Sequence, residues 1–76
     1  MIVIDDFIEQ NKYAFKRGWI FMGDDNRWWY TVKKPTLKTS SYYGSYWNFD
    51  GAYICLSDFF KIQSASDWTK TLRKVG

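Results

Sequence analysis

The chain has 76 residues, a formal net charge of +3, one cysteine, no histidine, and 5 Trp, 6 Tyr and 6 Phe. That length fits one domain, residues 1–76, and the lone Cys55 excludes an internal disulfide framework. No apolar run is long enough for a membrane span, and Met1–Asp6 lacks the basic region of a signal peptide, so the expected setting is cytoplasmic, away from membranes.

The first predicted element is a helix over residues 5–17. Asp5 and Asp6 stand at its start and Lys16 and Arg17 at its end, matching the helix dipole. Asp6 with Glu9 forms a capping-box-like pair, and Gly18 is placed to end the helix in a left-handed conformation. Ile4, Phe7, Ile8, Asn11 and Phe15 fall on one stripe at helical spacing. Next, Trp19–Met22 and Arg27–Lys33 are rich in strand formers and enclose the turn cluster Gly23-Asp24-Asp25-Asn26. They read as a hairpin, with Pro35 stopping its second strand. Residues 34–41 read as a polar, basic loop.

Tyr42–Phe49 reads as the third strand and Ala52–Leu56 as the fourth, joined by Asp50-Gly51, a strong type I′ turn signal. A two-residue turn fixes the register. Phe49 then faces Ala52, Trp47 faces Ile54 and Ser45 faces Leu56, an apolar set assigned to the core. Asn48 meets Tyr53 and Tyr46 meets Cys55 on the opposite side, which carries Tyr42, Tyr46 and Tyr53. Ser57–Ile62 reads two ways, as a helical turn capped by Ser57 or as more sheet. Ser64 or Ser66 then caps a short terminal helix with Trp68 and Leu72 on its apolar edge.

The expected fold is therefore α+β: an N-terminal helix, a four-stranded antiparallel β-meander and a short C-terminal helix. Few Leu, Ala and Glu residues argue against a helical bundle, and abundant aromatics favour strands. The expected core is Phe7, Ile8, Phe15, Trp47, Phe49, Ile54, Leu56 and Trp68. On that reading Trp47→Ala costs roughly 3–5 kcal/mol.

Chemistry is scarce. Without histidine, Ser–His and Cys–His nucleophile systems are excluded. Cys55 has no basic sequence neighbour to activate it and reads as a packed thiol. The adjacent pairs Asp5-Asp6 and Asp24-Asp25 suit cap and turn duties rather than paired acid–base work. Asp24-Asp25-Asn26 lacks the spacing of a calcium loop, and no glycine-rich phosphate loop is present. Arg17–Met22 partly echoes an RNA-recognition strand, but Ile20 replaces the small residue and the element order differs. No catalytic residue, cofactor or metal ligand is expected.

What remains is binding. Between residues 26 and 49 the charges are Arg27, Lys33, Lys34 and Lys38, with no acid, a stretch suited to a negatively charged partner. Trp29, Tyr42, Tyr46 and Tyr53 join Lys33, Lys34 and Lys38 as the candidate surface. Tyr and Trp are common interface anchors, which points to a non-catalytic accessory protein acting on a protein partner. The codon-biased abundance of Phe, Tyr, Ile, Asn and Lys resembles the product of an AT-rich genome and points to a phage or mobile-element inhibitor or modulator. The alternative is a single-stranded nucleic-acid binder that stacks bases on the tyrosine face beside the basic loop.

Overall fold

The computed structural model describes residues 1–76. It contains one short helix, six strands in two antiparallel sheets, and two 3-10 turns. It is α+β as expected, but it is not a four-strand meander.

Helix α1 spans Ile4–Gln10 and is shorter than the expected 5–17. Its N-cap is Val3, with no side-chain cap, so the Asp6–Glu9 capping box does not form. Asp5 and Asp6 lie inside the first turn, where negative charge still favours the exposed N–H groups. At the helix end the Phe7 carbonyl accepts both the Asn11 backbone N–H at 3.1 Å and the Asn11 side-chain amide at 2.9 Å, a local side-chain bond of the kind that favours helix ends over helix interiors. Gly18, expected as the helix terminator, instead opens the first strand.

Strands β1 (Gly18–Met22) and β2 (Trp28–Thr31) form the expected hairpin, with Ile20 opposite Tyr30 and Met22 opposite Trp28. Gly23 donates to the Arg27 carbonyl at 2.9 Å across the turn. Asn26 takes a positive φ of 65°, a conformation Asn tolerates, and Asp25 Oδ1 accepts from the Arg27 N–H at 3.1 Å. The rest of the chain departs from expectation. Residues 34–41 are not a loop: Thr36–Ser40 is a strand, β3, paired with β4 (Gly44–Asn48) in a separate two-stranded sheet. Its connection is Ser41-Tyr42-Tyr43, where Ser40 Oγ accepts from the Tyr42 and Tyr43 N–H groups at 3.1 and 3.4 Å.

Asp50-Gly51 therefore does not close a hairpin. Gly51 does adopt a positive φ of 78°, but the bend carries the chain from β4 to β5 (Tyr53–Cys55), which pairs with β2. The expected register is overturned: Trp47 faces Leu37, and Ile54 faces Tyr30. Ser57 anchors the new path by accepting the Trp28 N–H at 2.8 Å, and Asp58 pairs with Arg27 at 3.1 Å. Within the ambiguous stretch, Leu56–Asp58 is a 3-10 turn, and Ile62 forms an isolated parallel bridge with Ile2.

The expected C-terminal helix is only the 3-10 turn Trp68–Lys70. Asp67, not Ser64 or Ser66, caps it. The Thr69 hydroxyl and then the Thr69 N–H donate to Asp67, holding its carboxyl below the usual carboxylate range. Arg73–Val75 follows as strand β6, which closes the outer edge of β1. The larger sheet thus runs β5-β2-β1-β6.

The alternation of β1 divides this sheet into two faces. Ile20, Met22, Trp28 and Val75 lie on one face and form the buried core with Phe7, Leu56 and Ile62. Ile8, Phe15 and Trp68 pack against that core but are only partly buried. Trp28 is anchored through its indole N–H to the Gln63 carbonyl at 3.2 Å. Of the expected core, Phe7 and Leu56 are fully buried, whereas Ile54 is exposed at the β5 edge. Trp47 and Phe49 are half-buried and sit on the opposite face over Phe21. No helix is long and apolar enough to cross a membrane.

Candidate binding surface

The face of the larger sheet opposite α1 carries Trp19, Phe21, Trp29, Thr31, Tyr53 and Lys74 by strand register. Its centre is covered by the β3–β4 hairpin. Trp47 lies 5.3 Å from Phe21, ring centre to ring centre, and its indole N–H donates to the Met22 carbonyl at 3.1 Å. Phe49 lies 5.4 Å from Phe21. These contacts bury Phe21 and dock the base of the hairpin, while its far end projects. The molecular extents of 39 × 25 × 19 Å reflect that arm.

The seven expected site residues fall into separate groups. Trp29 and Tyr53 come together, with ring centres 5.9 Å apart, and Phe49 packs against both at 6.2 and 5.6 Å. Lys38 and Tyr46 face each other across the arm. Tyr42 stands at the arm's tip, 91% exposed, beside Tyr43 at 85%. Lys33 lays its methylenes along Gly51. Lys34 leaves the tyrosines altogether and places its ammonium 5.2 Å from the centre of the Trp19 ring, a cation–π distance. Tyr46 and Tyr53 belong to different sheets, so Tyr42, Tyr46 and Tyr53 do not make one continuous platform.

The surface carries two concavities. One is a cleft of about 190 Å³ lined by Tyr46, Trp47, Phe49, Trp29 and Trp68, with Asp24 and Asp25 at its rim. The other, about 550 Å³, lies at the opposite end of β1 and is lined by Lys16, Arg17, Trp19, Val32 and Lys74. Sequence reading missed Tyr43, Trp19, Lys16, Arg17 and Lys74. Tyr43 was visible as the second half of a Tyr-Tyr turn, and Trp19 as the alternate partner of Phe21 in a period-two strand. Lys16, Arg17 and Lys74 join only through the pairing of β1 with β6, which no local pattern announces.

Cys55 is half-buried in β5, opposite Trp29. No protein-family model matches the chain, no curated protein matches it, and no solved structure matches it.

Proposed function

We propose that the protein is a non-catalytic binding protein whose β3–β4 arm docks on an acidic surface of a protein partner. The observation that carries this reading is the arm's far end. Tyr42 and Tyr43 are almost fully exposed at its tip, Lys38 and Tyr46 lie together on one of its faces, and the arm carries no acid. Large aromatic rings left in water on a projecting element gain most when a partner covers them. Lys38, the one charged residue of the arm, favours an acidic partner and speeds encounter. The lack of histidine supports a role without chemistry. Small size and the AT-rich compositional bias support a phage- or mobile-element-encoded inhibitor or modulator. The alternative of a single-strand binder on Tyr42, Tyr46 and Tyr53 loses support because the strand pairing separates those rings.

The test is affinity capture from host lysate, with and without nuclease, using the protein and a Tyr42→Ser/Tyr43→Ser variant. The expected result is a stoichiometric, nuclease-resistant partner that the variant fails to retain. Both positions are exposed, so the variant's unfolding free energy stays within about 0.5 kcal/mol per site. Equal retention by the variant overturns the role of the arm.

A further inference from the structure

The geometry points to a second, separate site: the basic concavity around Trp19 binds single-stranded nucleic acid. It is independent of the arm and uses none of its residues.

The first observation is how the cations are distributed. Lys12, Arg27, Lys70 and Arg73 each pair with a carboxylate. The other seven have no acidic partner within 4.0 Å, and four of these seven, Lys16, Arg17, Lys34 and Lys74, stand at the Trp19 concavity or over its ring. Lys16, Arg17, Lys74 and Trp19 line the same concavity of about 550 Å³. Lys74 is the cross-strand neighbour of Trp19, and Lys34 lies over the Trp19 ring. Unneutralised like charges repel, so a cluster of four favours an anion that bridges them.

The second observation is that the backbone carrying the cluster is fixed. The Tyr30 hydroxyl donates to the Arg17 carbonyl. Gly76 packs so closely on the Lys16 carbonyl that no side chain would fit there. Gly18 is held against Thr31 and Tyr30 in the same way. The backbone of the rim is therefore preorganised, which lowers its share of the ordering cost of binding.

The third consideration is the ring among the cations, which favours a polyanion that carries flat groups between its charges. Carboxylates would satisfy the cations but would not use the ring. A single strand alternates phosphates with flat bases, and a base can take the place of Lys34 on the Trp19 face while Lys34 turns to a phosphate. A duplex hides its base faces, so the ring selects single strands.

The test is fluorescence anisotropy of a labelled octathymidylate, an eight-base-pair duplex and an oligoglutamate of equal charge, at low salt. Octathymidylate is expected to bind most tightly. With four phosphates neutralised, its log affinity should fall against log salt with a slope of roughly −3. Trp19→Ala should weaken binding at least about fivefold, and Trp19→Phe should restore most of it, which also guards against a folding defect in the alanine variant. Lys16→Gln with Lys74→Gln should flatten the slope by about 1.4. Lys61→Gln, an exposed lysine outside both surfaces, should leave the affinity and the slope unchanged. The proposal is overturned if no octathymidylate binds. Equal binding of oligoglutamate or of the duplex overturns it as well, as does unchanged affinity in folded Trp19→Ala.

Discussion

At the scale of single residues, two glycines with positive φ do different work. Gly18 has φ +138°, and a Cβ there would lie 2.6 Å from the Thr31 carbonyl oxygen and 2.7 Å from the Tyr30 ring. The first obstacle is backbone of a paired strand and cannot move without breaking the hairpin. Gly44 has φ +72° and open space around it. Gly18→Ala therefore combines strain with overpacking and should cost about 2–4 kcal/mol. Gly44→Ala meets only the left-handed backbone cost, about 1 kcal/mol. Urea unfolding of the two variants checks this, and equal midpoints would contradict the close packing of Gly18. Neither the helix end read at Gly18 nor the strand read across Gly44 shows this difference, because the clash at Gly18 comes from residues that reach it only through strand pairing.

At the scale of elements, the β1–β2 hairpin was legible and the β3–β4 arm was not. Gly23-Asp24-Asp25-Asn26 is a dense turn signal between two aromatic runs, and it folds as read. Thr36–Ser40 carries the single large apolar residue Leu37 and follows a proline, so it lacks the alternation that marks a half-buried strand. It can be a strand because its pair with β4 stands mostly in solvent. With residues 34–41 read as loop, β4 has no partner on that side, and the Asp50-Gly51 turn signal supplies a false one. The error propagated to Trp47, whose expected loss of roughly 3–5 kcal/mol applies to a fully buried ring. Trp47 is half-buried and fixes the arm to the sheet through Phe21 and the Met22 carbonyl. Trp47→Ala should therefore release the arm before it unfolds the domain. Hydrogen exchange should speed up across residues 36–48 while Ile20 and Trp28 amides stay protected. Trp28→Ala, at a ring 1% exposed, is where the full loss of roughly 3–5 kcal/mol belongs. Uniform loss of protection in Trp47→Ala would return that ring to the core.

At the scale of the whole molecule, the larger sheet is assembled from both ends of the chain. The β1–β2 hairpin is local, whereas β6 pairs Val75 with Gly18 and Arg73 with Ile20, and Ile2 bridges Ile62. Loop closure costs grow with the logarithm of the separation, so the hairpin can form before β6 docks. The radius of gyration, 12.1 Å, exceeds the roughly 11 Å of a compact chain of this length, as the undocked end of the arm requires. That arm adds little to the folding nucleus. The order of events predicts opposite kinetic signatures for two core truncations. Met22→Ala removes a buried side chain from the hairpin and should mainly slow folding. Val75→Ala removes a buried side chain from β6, costs about 2 kcal/mol, and forms its contacts after the barrier. Its loss should appear in the unfolding rate, an acceleration of about 30-fold with the folding limb nearly unchanged. Stopped-flow chevrons of the two variants decide the matter. If Val75→Ala slows folding by the larger factor, β6 belongs to the nucleus and the sheet closes before the hairpin is secure.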